Sequence, residues 1–94
     1  MSPDNTYLLV YCYAFYMSTD NEELQYTNID IGKHISKIRK AKGLSMYRLS
    51  LESGISNSVL MRIEKGEREP KINTLLKIID GLEISPAEFF TAFK

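Results

Sequence analysis

One short pattern occurs three times in this 94-residue chain and limits what it can become. Leu44-Ser45, Ile55-Ser56 and Ile84-Ser85 each set an apolar residue directly before a serine, and Leu49, Leu60 and Phe89 follow four positions after it. A serine so placed accepts from the free N–H groups of a helix's first turn. The apolar pair on either side of that turn clamps the entering chain, so each occurrence writes a helix start. Gly43, Gly54 and Gly66 supply the left-handed residues that stop helices.

Between these signals the apolar residues keep helical time. Ile31, Ile35 and Ile38 recur at i, i+4 and i+7, predicting a first helix that Asn28 or Asp30 caps and Gly43 ends. The second runs from the Ser45 cap through Ser53, with Arg48 where a reciprocal acid would stand, and Gly54 permits a tight turn. The third starts at Ser56; Leu60 and Ile63 point inward, while Asn57, Ser58, Met61, Arg62 and Lys65 point away. Glu67-Arg68-Glu69-Pro70 is a polar loop. Ile72, Leu75, Leu76, Ile78, Ile79 and Leu82 predict a fourth, mostly buried helix. Ser85-Pro86-Ala87-Glu88 is a capping box with proline at the first helical position, opening a last helix that carries Phe89, Phe90 and Phe93. The expected architecture is all-α, a compact five-helix domain over residues 29–94.

Residues 1–28 read differently, as an N-terminal extension and acidic linker. Tyr7 to Met17 is uncharged and apolar, too short for a bilayer span of ~20 residues and without the basic start of a signal peptide. Three readings stay open: a strand or helix packed on the body or on a second subunit, a poorly ordered tail, or an over-long start with Met17 as the real initiator. The formal net charge is zero, but residues 1–28 hold Asp4, Asp20, Glu22 and Glu23 and no base, a charge of −4. Residues 29–94 hold 12 basic and 8 acidic residues, +4, and six bases without an acid fall within 33–48. A body with a positive face points first to nucleic acid.

The residue inventory leaves little room for catalysis. One cysteine, Cys12, excludes an internal disulfide and a cysteine-rich zinc site, and one histidine, His34, makes no metal cluster. No phosphate-binding glycine loop is present, so the expectation is a protein that is not an enzyme, with no cofactor and no metal. Cys12 reads as a small buried apolar residue and His34 as an ordinary surface residue.

Two short helices about a glycine turn make a helix-turn-helix. The segments IGKHISKIRKAKGLS, RLSLESGIS, VLMRIEKGEREP and LLKIIDGLEIS, in this order, resemble the lambda-repressor-like (Cro/Xre-type) helix-turn-helix family over about residues 29–90. The resemblance implies a cytoplasmic, nucleoid-associated transcriptional regulator. Such a protein binds a (pseudo)palindromic operator in double-stranded DNA as a homodimer, its third helix in the major groove. It carries base reading onto Ser56, Asn57, Ser58, Met61 and Arg62, and phosphate contact onto Ser45 and Met46 (through backbone and cap), Lys65 and Arg68. Arg39 and Glu64 match a family ion pair between the first and third helices. Met46 departs from the family's usual glutamine, and Ser50 from its usual alanine, where the hydroxyl needs a backbone acceptor. Phe89, Phe90 and Phe93 are read as core plus dimer contact. The alternative use of such a fold is a protein-binding module, such as an antitoxin component that sequesters a partner protein. Phage repressors, restriction–modification controllers and antitoxin-type autoregulators all share these features.

Overall fold

A computed structural model describes residues 24–94. The expectations placed on Tyr7–Met17, on Cys12 and on the acidic residues through Glu23 lie outside the described residues. Five helices follow one another: α1 (Asn28–Ala41), α2 (Met46–Ser53), α3 (Asn57–Glu64), α4 (Ile72–Gly81) and α5 (Pro86–Phe90).

The three serine hydroxyls cap as written, but the box expected at Ser85–Glu88 forms only its serine half, with no bond from Ser85 N–H back to the Glu88 carboxylate. The hydroxyls of Ser45, Ser56 and Ser85 accept from the N–H groups of Arg48, Val59 and Glu88 at 3.0, 3.3 and 3.0 Å. Gly43, Gly54 and Gly66 all have positive φ. The start of α1 differs from expectation. Thr27 is the cap: its hydroxyl accepts from Ile29 N–H, and its own N–H donates to the Asp30 carboxylate at 2.9 Å. Asp30 is thus the reciprocal acid of a capping box. Asn28 is already helical and uses its amide elsewhere, donating to the Gly66 carbonyl at 3.1 Å.

The core gathers one or more residues from every helix: Ile35, Leu49, Leu60, Ile63, Leu75, Ile78, Ile79 and Phe89, with Leu82 just past α4. α1 packs on α3, α2 on both α3 and α4, and α5 on α4. Three expectations need correction. The α4 stripe is narrower than its six apolar residues suggest, because Ile72 and Leu76 are exposed on its outer edge. α5 ends at Phe90, so Phe93 lies in the turn beyond it. His34 is not an ordinary surface residue: its half-buried ring sits 4.8 Å from that of Phe89 and 5.3 Å from that of Phe93. Phe93 also meets the ring of Tyr26 edge-on at 5.0 Å, and the Tyr26 hydroxyl donates to the Lys94 carbonyl.

Candidate nucleic-acid interface

α3 is eight residues long and two-sided. Leu60 and Ile63 are buried, and Val59 is half-buried against the core. At 3.6 residues per turn the opposite arc holds Asn57, Ser58, Met61, Arg62 and Lys65, all exposed. That outward arc contains two bases and no acid. The single acid of α3, Glu64, is turned inward.

Glu64 holds the helix in place. Arg39 Nε donates to Glu64 Oε2 at 2.8 Å and Nη2 to Oε1 at 3.1 Å, a two-pronged bond between the end of α1 and the end of α3. The side chains are only 11 % and 5 % exposed. The remaining arm of Arg39, Nη1, donates to the Leu44 carbonyl at 2.9 Å, directly before the α2 cap. One guanidinium therefore fixes both helices of the helix-turn-helix to α1. A second tie runs from Asn28 to the Gly66 carbonyl at the other end of α1.

Gly32 does the rest, a residue on which the apolar periodicity of α1 is silent. A Cβ at this position would overlap the Ile63 carbonyl oxygen and lie 2.9 Å from that of Glu64. Only a bare Cα lets α1 approach the C-terminal turn of α3 so closely. The available signal was an isolated glycine inside an otherwise regular helical pattern.

The phosphate candidates divide. Ser45 and Met46 stand at the start of α2, where first-turn N–H groups have no partner within the helix. The Met46 side chain packs against the core, so only its backbone faces outward. The Ser50 hydroxyl donates to the Tyr47 carbonyl at 2.6 Å and leaves α2 free to pack. Lys65 caps the end of α3, exposed. Arg68 lies apart from it, beside the Val59–Ile63 edge of α3, where the fold brings in Lys71 as a second base. Of the aromatic candidates for a dimer contact, Phe89 is wholly buried in the core and Phe93 is half-buried, while Phe90 is 38 % exposed. Ile72 and Leu76 supply further exposed apolar surface on α4. Among the described residues no helix is long and apolar enough to cross a membrane.

Comparison with known proteins follows the same residues. A helix-turn-helix family model (HTH_3) matches residues 35–89. The HTH-type transcriptional regulator SlrR of Bacillus subtilis is 41 % identical over 63 residues, covering 66 % of this chain and 41 % of SlrR. The HTH-type transcriptional regulator PuuR of Escherichia coli is 38 % identical over 60 residues, covering 64 % of this chain and 32 % of PuuR. The chain thus spans less than half the length of either regulator. The restriction-modification controller protein C.AhdI from Aeromonas hydrophila superposes with a TM-score of 0.64 at 33 % identity, over 67 % of this chain and 96 % of that one. The C.Esp1396I controller tetramer, solved in complex with its natural 35 base-pair operator, gives 0.69 at 29 % identity, over 73 % and 91 % of the two chains.

Proposed function

The chain belongs to the helix-turn-helix family HTH_3, and on that premise we propose that it is a sequence-specific DNA-binding transcriptional regulator that grips a (pseudo)palindromic operator as a dimer. The observation that carries this reading is the α3 face. Asn57, Ser58, Met61, Arg62 and Lys65 form an exposed arc without an acid, on a helix fixed by Arg39, Glu64 and Gly32. The chemistry of that arc suits base edges in a major groove. Asn pairs bidentately with adenine, Arg with guanine N7 and O6, serine hydroxyls serve donors and acceptors alike, and the Met61 side chain packs on a thymine methyl.

Around that arc, the first turn of α2, Lys65, and Arg68 with Lys71 contact the phosphates that set the register. Leu76 and Phe90, on helices that pack together, are the side chains for the two-fold contact. The protein acts by binding alone, in the cytoplasm, on the nucleoid. Support for more than two copies on one operator comes from the similar controller protein, which is a tetramer in complex with its natural 35 base-pair operator.

The test is selection of bound duplexes from a random-sequence library, followed by affinity measurement across a salt series. Enrichment of a two-fold symmetric sequence, with log K falling linearly in log salt, is the expected result. A co-purifying partner protein with no retention on DNA would overturn the reading in favour of a protein-binding module.

A further inference from the structure

α5 packs on α4 and meets α1 at the His34 ring, which touches Phe89 and Phe93. Beyond that ring α1 and α5 part. The gap is a groove of about 390 Å³ with Ile38 and Ala41 on the α1 side and Ile84 and Ala92 on the α5 side. Ile38 and Ile84 are half-buried, and both alanines are exposed. Lys37 and Lys42 border the groove on one side and a single acid, Glu88, on the other. Apolar walls that the five helices leave open to water are a place for a further apolar chain.

Two observations identify that chain. The first is charge. No acid occurs between Asp30 and Glu52, and Lys33, Lys37, Lys40 and Lys42 are all exposed. Arg39 is taken by Glu64, but among the described residues none of these four lysines is ion-paired. The uncharged apolar stretch Tyr7–Met17 is followed directly by Asp20, Glu22 and Glu23, with no base anywhere before Lys33. An apolar groove edged with lysines thus matches an apolar segment trailed by acids.

The second is reach. The ring of Tyr26 meets Phe93 at 5.0 Å, and Phe93 meets His34, at the mouth of the groove, at 5.3 Å. The groove therefore opens no further from the Tyr26 ring than those two distances together. Gln25 fixes the same stretch by donating to the Lys94 carbonyl at 3.1 Å. Ala41 lies seven positions after His34 on α1, ~10 Å further along. Residues 18–23 can span up to ~20 Å, enough to deliver Met17 to the groove. A segment on so short a connection is present at an effective concentration of roughly millimolar, ahead of a free ligand of the same chemistry.

We propose that Tyr7–Met17 docks in the α1–α5 groove of its own chain, with the acidic residues behind it held along the α1 lysines. The contact braces α5, which carries Phe90 on its outer surface, against α1. It stands independently of the DNA-binding reading.

The experiment uses the full chain and its single cysteine, Cys12, which lies within the docking segment. A disulfide forms only between Cα atoms within about 7 Å, so a second cysteine acts as a ruler. Ala41→Cys and Ala92→Cys place it on the two walls, and Ala87→Cys places it on α5 outside the groove. All three alanines are exposed, so the fold tolerates each change. Under mild oxidation in dilute solution the two wall variants should form an internal disulfide, of monomer mass on non-reducing electrophoresis. They should do so ~10-fold faster than Ala87→Cys, because a docked thiol outpaces a merely tethered one. The second readout is modification of Cys12 by a small thiol reagent. Ala41→Glu, which puts an acid into the groove, should speed it ~10-fold while melting stays cooperative. Equal cross-linking rates at the three positions, or no disulfide at all, overturn the docking. A product of dimer mass from the wall variants means that the segment belongs to a second copy and overturns the own-chain assignment. Unchanged Cys12 reactivity in Ala41→Glu overturns the groove as its site.

Discussion

Gly32 shows how a residue without a side chain can position a recognition helix. Alanine is the better helix former by about 1 kcal/mol, so an ordinary mid-helix Gly→Ala change would stabilise α1. Here the added methyl meets the carbonyl oxygens of Ile63 and Glu64, which are backbone and cannot swing aside. Gly32→Ala should therefore lower unfolding free energy by about 1–3 kcal/mol, read from urea denaturation with an unchanged m-value. A gain in stability would show that α1 does not approach α3 as described. Arg39 and Glu64 make the complementary case. Glu64→Gln and Arg39→Met should each destabilise by about 3 kcal/mol, because each strands a shielded charge or its partners. Arg39→Met should cost the more, since it also strands the Leu44 carbonyl. The double variant should lose less than the sum of the two; strict additivity would falsify the coupling. These residues were legible to different degrees. Positions 39 and 64 lie 25 apart with no local signal joining them, so only the resemblance to a family brought them together. Gly32 stood in plain view, but a periodicity that scores apolar residues is silent about a glycine.

At the scale of the element, legibility follows how local the physics is. A serine cap, its apolar flank and a terminal glycine act within one turn, so α2 and α3 begin and end where the spacing puts them. The α1 start moved to Thr27 because capping can be satisfied by any of several neighbouring polar residues, and Asn28 is drawn into a bond with Gly66, 38 positions away. The α4 stripe counted Ile72 and Leu76 as buried because composition cannot tell which edge of a wide stripe finds a partner. α3 itself yields the sharpest element-scale prediction. Arg62 lies in its second turn, exposed, with a planar donor fork suited to guanine. Arg62→Ala should cost about 1–3 kcal/mol on the selected operator and relax preference at one position per half-site. Lys65→Ala should instead weaken all sequences about equally and reduce the salt slope by about one. Binding of each variant to a panel of single-base operator changes separates the two. Uniform loss for Arg62→Ala would mean a phosphate contact, and a helix rotated in the groove from the orientation proposed.

For the molecule as a whole, the surplus of aromatic residues near the C-terminus is mostly spent inside. Phe89 is core, His34 and Phe93 close around it, and Tyr26 covers Phe93. Sequence could not divide core from contact among three phenylalanines, because the division depends on where α5 stops and on which rings His34 and Tyr26 reach. What is left outside is Phe90 with Leu76 and Ile72, and on this surface the dimer reading now depends. If a two-fold contact forms there, dimerisation is linked to folding, and the melting temperature of the wild type should rise with protein concentration. Leu76→Lys and Phe90→Lys place a charge in the contact at exposed positions; Phe90→Lys also gives up an edge-on ring contact with Phe89 at 5.0 Å and so should melt lower, but each variant should melt at a temperature independent of concentration. Each should sediment as a monomer at micromolar concentration. On the operator the loss should be much larger than one side chain can supply, about 100-fold or more, because the second half-site is no longer delivered by the same particle. The salt dependence carries an independent signature. A monomer neutralises half as many phosphates as a dimer, so the slope of log K against log salt should fall to about half the wild-type value. A wild-type chain that sediments as a monomer both with and without operator removes the dimer, and with it the reason for a palindromic site.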